Sequence, residues 1–245
     1  MSELPAGVRR RMLLRSFTVQ GSWNYRSLIG TGLAFILAPA LRHVHRDPEA
    51  LRRAIGRHTE LFNSHPYLAG VAAGAVARLE ADGTPPETVA RFKSALRGSL
   101  GTIGDRLVWL TWRPAAVILG LVLVLADAPW WAAVGAFLLA YNALHLWLRV
   151  WGLSAGLRDG LAIGRTLREA PFEKLGEHAR RAGALLAGMA AVLAAGGFGD
   201  PPSTLPGWAL GVGAAVLGIV LGRRVRPAAA AVLLAVLVAG LVSAR

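Results

Sequence analysis

Three polar clusters in this sequence carry residue types able to do chemistry, and each lies against an apolar stretch. The densest is Arg57-His-Thr-Glu-Leu-Phe-Asn-Ser-His-Pro66. Its histidines, His58 and His65, would share a helix face two turns apart. That is too far for two ligands of one metal ion, and no HExxH pattern is present. Asn63 and His65 stand immediately before a proline-started apolar segment. There they either hydrogen-bond sugar hydroxyls or, in the case of Asn63, cap the helix that follows. The second cluster runs from Gly98 to Pro114, with glycines at 98, 101 and 104, then Asp105-Arg106, Trp109, Trp112 and Arg113-Pro114. Asp105 is the only acid between Gly98 and Ala126, and an ionisable group at membrane depth is costly enough to be read as functional. Arg106 and Arg113 are its expected partners. The third cluster is Gln20-Gly-Ser-Trp-Asn-Tyr25, where Trp23 and Asn24 set an aromatic ring beside an amide.

Catalysis finds no support in these residues. The glycine series lacks both the G-x-G-x-x-G spacing and the Walker Gly-Lys-Ser/Thr. It reads either as a small-residue packing face or as part of a sugar or ion pathway. No serine lies in a G-x-S-x-G setting, and no nucleophile, base and acid stand in a usable order. The absence of cysteine removes disulfides, thiolate chemistry and cysteine-ligated zinc. The chain is therefore expected to have no catalytic residues, metal site or cofactor of its own.

Composition says what surrounds these clusters. Of 245 residues, 54% are hydrophobic and 17% charged, yet the net charge is +13. A basic excess of that size goes with nucleic acid or with the anionic face of a membrane. A soluble nucleic-acid binder has no use for several long apolar tracts, so the membrane is the expected setting. The N-terminal MSELPAGVRRRMLLRSF lacks a long apolar core, reads as no signal peptide, and suits an amphipathic helix on a membrane surface.

The elements that would carry the clusters follow from the apolar lengths. Leu28–Leu41 would span only about 21 Å as a helix, short of a hydrocarbon core of about 30 Å. Pro66–Ala77 is shorter still. Both are bounded by arginine-containing stretches, which predicts re-entrant or half-depth helices, or else two core helices of a soluble lobe. Ala81-Asp-Gly-Thr-Pro-Pro86 is a turn, and Glu87–Arg97 an amphipathic, surface-lying helix. Gly98–Pro114 is then expected to be a broken helix lining a polar cavity.

From residue 107 the membrane signal is continuous. Spans are predicted at Leu107–Leu125, Trp130–Val150, Ala182–Phe198, Pro206–Leu221 and Pro227–Val242, with a tight turn at Asp127-Ala-Pro129. Trp130 and Trp131 mark one interface and Trp147 and Trp151 the other. His145 and Arg149, near the end of the second span, read as interface anchors. Arginines at 149–181 and 223–226 belong in the cytoplasm, which puts the turn at Asp127 outside. The spans are rich in small residues, favouring close helix packing.

Several separated pieces together resemble one family. They are Arg15-Ser16, Gln20–Tyr25, Arg57-His58 with Phe62-Asn63-Ser-His65-Pro66, and Ile103-Gly104-Asp105 with Trp109 and Arg113-Pro114. Asn142, Arg149-Val-Trp-Gly152 and Arg223-Arg224-Val-Arg226-Pro227 complete the set. Their order and intervals are similar to those of the IID membrane subunit of the mannose/fructose/sorbose phosphotransferase system. The resemblance implies a multi-pass protein of the bacterial cytoplasmic membrane. It implies pairing with a IIC subunit in a trimer of heterodimers that translocates a hexose, while cytosolic IIA and IIB proteins pass phosphate to the sugar. IID itself is not phosphorylated, so His65 becomes a sugar contact rather than a phosphohistidine.

The expected architecture is an all-α integral membrane protein. Residues 1–106 would form amphipathic and re-entrant helices facing IIC, and residues 107–245 about five transmembrane helices. The expected substrate-binding residues are Asn63, His65 and Asp105, helped by Trp23 and Asn24; membrane lipid is a further partner and nucleic acid is not. The second reading is a divergent, transport-deficient homologue acting as a scaffold or regulator.

Overall fold

The computed structural model describes residues 4–196, and every regular element in them is helical. The predicted spans Pro206–Leu221 and Pro227–Val242, the end of Ala182–Phe198, and the basic hairpin between the last two lie outside the described residues. Two compact units divide the chain. Of the described residues, the first comprises 4–106 and 143–172, and the second 107–142 and 173–196.

In the first unit the core is made by two short helices, α2 (Gly30–Val44) and α4 (Ala69–Ala81). Leu33, Ile36, Leu37 and Leu41 of α2 are fully buried, and α4 is buried without interruption from Ala69 to Ala77. These are the two apolar pieces that are too short to cross a bilayer. Around them lie α1 (Ala6–Ser16) and α3 (Pro48–His58). α1 is no loose surface helix: Val8, Met12 and Ser16 face inward, and the Arg15 guanidinium reaches the Phe35 carbonyl of α2 at 3.0 Å. α3 starts where the sequence chemistry requires, with Asp47 accepting from the Ala50 N–H and Pro48 in the first turn.

One buried acid joins three of these elements. Glu80, at the end of α4, accepts from Arg57 Nη2 at 2.7 and 2.8 Å on its two oxygens and from Arg57 Nε at 3.2 Å, and lies 2.9 Å from both His45 Nε2 and His58 Nε2. Burial alone would raise its pKa. The hydrogen bonds from His58, Arg57 and His45 win, and the carboxyl is held at about 2. Burial pushes His58 below its ordinary value. It therefore stands as a neutral imidazole, and since a carboxylate only accepts, Nε2 carries the proton.

The first unit also contains the second half of α7 (Trp130–Asp159), which crosses α4 through glycine. A Cβ added at Gly74 would lie 2.4 Å from the Leu153 carbonyl oxygen, and one at Gly156 would lie 2.3 Å from that of Val71. Gly70 and Gly152 repeat the contact one turn away. Each helix thus presents a G-x-x-x-G pair to the other, the arrangement that lets two backbones touch.

After the turn at Asp82–Pro85 the chain does not break where glycine and proline suggested. α5 (Pro86–Gly104) continues through a π-helical stretch, Asp105–Trp112, into α6 (Arg113–Leu125). The wider i→i+5 turns absorb the discontinuity at Pro114, so the expected broken helix is one helical run. In the second unit α6 packs on α7 and α9 (Phe172–Gly196). Trp112 Nε1 donates to the Ala140 carbonyl at 2.8 Å, and Gly183 lies on Ala115. A short α8 (Ile163–Glu169) of the first unit follows α7. Stretches within Pro86–Leu125 and Trp130–Ala194 are long and apolar enough to cross a membrane, with only 28% and 17% of their most apolar windows buried in the protein. Leu110, Trp130 and Leu139 are each more than 70% exposed, which only lipid or a partner would cover.

Two outcomes test this packing. Gly156→Ala forces a methyl onto the α4 backbone and lowers stability by about 1–3 kcal/mol, whereas Gly56→Ala on the open face of α3 gains about 0.5–1 kcal/mol; thermal unfolding in detergent reads both. In acid, unfolded Glu80 takes up a proton near 4.5 while the folded group resists to about 2. Its stabilisation is complete above pH 4.5 and is lost as pH falls towards 2. Glu80→Gln removes that part of the acid-unfolding profile and lowers neutral-pH stability by about 3–5 kcal/mol.

Candidate functional site

The loop from Gln20 to Ile29 and the segment Leu61–Pro66 are separate in sequence but stitched together by their backbones. The Ile29 N–H donates to the Phe62 carbonyl at 3.1 Å, and the Phe62 N–H to the Ser27 carbonyl at 3.2 Å. The buried Phe62 ring holds the join. Leu28, between them, has φ +53°, a conformation costing about 1–3 kcal/mol for a branched side chain. It is over-determined there, because its N–H and carbonyl both bond to Asn24.

This join brings four of the five expected sugar contacts to one concavity. Trp23, Asn63, His65 and Asp105 line a recess of about 170 Å³, together with Gln20 and Gly101. An adjoining recess of about 510 Å³ shares Asn63, Gly101 and Asp105. Asn24 is not in either lining. Its oxygen accepts from the N–H groups of Arg26 and Ser27, and its amide donates to the Ser22 carbonyl and Ser27 Oγ. Its hydrogen-bonding capacity is spent on shaping the loop, an Asx turn.

Asp105 and Asn63 are exposed. Among the described residues Asp105 makes no ion pair, so the expected partnership with Arg106 or Arg113 is absent; the Arg113 guanidinium lies 5.3 Å from the Trp109 ring centre instead. Asn63 does not cap α4, whose N-cap position is Leu68 with no side-chain hydrogen bond. His65 is buried, and Gly104 is the reason it fits: a Cβ there would lie 2.1 Å from His65 Cβ. The other two glycines of that series, Gly98 and Gly101, meet nothing within 4 Å. His65 Nδ1 accepts from the Tyr67 N–H at 3.2 Å. Burial, then the positive charge of Arg149, lowers its pKa to about 4, so it is neutral at physiological pH.

Behind the recess stands a residue the sequence understated. Arg149 on α7 is buried, at 4% exposure, rather than anchored at an interface. Its guanidinium donates to the Ser16 carbonyl and to Ser16 Oγ at the end of α1, and its Nε to His145 Nε2 at 2.6 Å. Phe17 and Tyr67 flank the cation at 4.8 and 5.3 Å, and Tyr67 stacks on His145 at 4.0 Å. The i,i+4 spacing of His145 and Arg149 was the available signal; what it could not give was the helix end on the far side. Nothing in this geometry forms a nucleophile with a base. The recess offers a carboxylate, an amide, a neutral imidazole and an indole, a set suited to binding polyhydroxylated molecules.

Residues 3–194 match the model of the mannose/fructose/sorbose family IID component of the phosphotransferase system. The chain is 30% identical over 185 residues to the mannose-specific EIID component of Escherichia coli K12, covering 73% of this chain and 65% of that protein. It is 31% identical over 175 residues to the sorbose-specific EIID component of Lacticaseibacillus casei, covering 69% and 61%. The matched stretch thus spans just under two thirds of these relatives' length. Among solved structures it resembles a chain of the mannose transporter ManYZ in complex with microcin E492, at a TM-score of 0.61 and 29% identity over 78% of this chain and 71% of that one.

The buried arginine supplies the test of this geometry. Arg149→Lys keeps the charge but cannot serve the Ser16 carbonyl and His145 together, because an ammonium lacks the planar fork. The expected loss is about 1.5–3 kcal/mol, read as a lower unfolding temperature of the detergent-solubilised chain.

Proposed function

This chain belongs to the mannose/fructose/sorbose family of IID components of the phosphotransferase system, and we propose that its recess at Asn63, His65 and Asp105 forms one wall of a hexose path shared with a IIC subunit. In this reading the chain is a multi-pass component of the bacterial cytoplasmic membrane, assembled with IIC as a trimer of heterodimers. Cytosolic IIA and IIB supply the phosphoryl group, and this chain supplies none of the transfer chemistry.

The observation that carries the proposal is Asp105, exposed and without an ion pair among the described residues, beside Asn63, Trp23 and a neutral His65. A carboxylate accepts from two adjacent hydroxyls, and an amide both donates and accepts. An indole face covers the C–H side of a pyranose. None of these holds a sugar alone, and an open recess of this size needs a second wall, which IIC provides. Asp105 stands exposed where α5 passes into the π-helical stretch. Reading the chain as a transport-deficient scaffold has no observation in its favour, since it leaves an exposed carboxylate on the recess without a task.

Uptake by the reconstituted IIC pair, with IIA and IIB supplied, tests this. Asp105→Asn is expected to lower uptake by about 10–100-fold, the equivalent of one charge-assisted hydrogen bond of about 1.5–3 kcal/mol, while co-purification with IIC is unchanged. Wild-type uptake in that variant would remove Asp105 from the path.

A further inference from the structure

We propose that the first unit holds an anionic phospholipid in a basic-rimmed cavity between α1, the end of α4 and the end of α7. The cavity measures about 390 Å³ and is separate from the recess at Asp105. Four guanidinium-bearing residues line it: Arg9 and Arg10 of α1, Arg78 of α4 and Arg158 of α7. Two of these are partly neutralised, Arg78 by Asp82 at 2.6 Å and Arg158 by Asp159 at 2.7 Å. Arg9 and Arg10 are exposed and make no ion pair among the described residues. The cavity therefore has two cations in excess, held close together and open to an anion.

Its back wall is of the opposite character. Leu153 and Leu157, one turn apart on α7, form an apolar strip at the end of the helix whose earlier turns are apolar and outward-facing. Inorganic phosphate would have no use for such a wall. A phosphodiester carrying acyl chains uses both parts: guanidinium groups take the phosphate oxygens, and the first methylenes lie along the leucines before leaving the cavity. The volume suits a headgroup with the beginning of its chains, and the remainder of a lipid would run along α7. Placement also agrees, because arginine-rich helix ends mark the cytoplasmic leaflet, where anionic lipids are available. A lipid here would bridge α1, α4 and α7, the helices that also meet at Arg149.

The inference rests on α7 crossing the membrane and not on the sugar path. Native mass spectrometry of the full-length chain, purified in detergent, tests it by titration with phosphatidylglycerol, with phosphatidylcholine of the same acyl chains, and with inorganic phosphate as competitor. The wild type is expected to retain phosphatidylglycerol at least about tenfold better than phosphatidylcholine, with millimolar inorganic phosphate failing to displace it. Arg9→Gln with Arg10→Gln should abolish that preference, and Ser154→Glu, a carboxylate placed in the cavity at an exposed position, should do the same without touching an arginine. Arg52→Gln with Arg53→Gln on α3 removes equal charge elsewhere and should change nothing. Equal retention of the two lipids, an equal loss in the α3 control, or displacement by inorganic phosphate overturns the proposal.

Discussion

At the crossing of α4 and α7 two backbones touch, and most of the first unit is arranged by that contact. Gly70 and Gly74 on one helix and Gly152 and Gly156 on the other leave no space for side chains between them. Dispersion between close backbones replaces the hydrophobic gain that ordinary core residues would bring, and it works as well in lipid as in water. The consequence is positional. With the middle of α4 fixed against α7, its start carries Tyr67 onto His145 and Arg149, and its end carries Glu80 under α3.

The two ends of α4 solve opposite electrostatic problems. Glu80 is an acid surrounded by donors, and its deep pKa shows that they more than repay its desolvation. Arg149 is a buried cation with no carboxylate among the described residues, so its charge is spread over a helix-end carbonyl, a hydroxyl, an imidazole nitrogen and two aromatic faces. A helix C-terminus carries partial negative charge, which makes the end of α1 a fair substitute for an acid. Neither arrangement tolerates half a partnership, because an unpaired charge at such burial costs several kcal/mol. Both therefore act as locks on register, and the loop bearing His65 lies next to one of them.

Some of this was legible in the sequence. The turn before Pro86, the two short apolar helices, the turn at Asp127 and the clustering of Asn63, His65 and Asp105 all followed from apolar length, turn residues and the ordered family pieces. Those pieces are meaningful in space: Ser16 meets Arg149, Arg57 and His58 meet Glu80, and His65 meets Gly104. The failures have physical causes. Close packing was expected from the small residues in the spans, but not its place, because a G-x-x-x-G pair on one helix means little until the matching pair on its partner is known. Glu80 lies in an unremarkable helix end, and its three donors come from more than 20 residues upstream. Asn24, expected among the sugar contacts, makes its side-chain hydrogen bonds within its own loop, which depends on a loop conformation the sequence does not spell out.

The continuity of the helix from Pro86 to Leu125 changes how the polar stretch works. Helices interrupted in a membrane expose free N–H and C=O groups, and those groups then do the binding. Here the i→i+5 turns keep the ladder closed through Asp105–Trp112, so the backbone offers little. The polar groups on offer at this surface are therefore side chains, Asp105 among them. Gly104, the last residue of α5, lies directly on His65. The exposed Asp105 carboxylate is thus presented by a closed helical ladder that rests, through Gly104, on the buried and neutral His65.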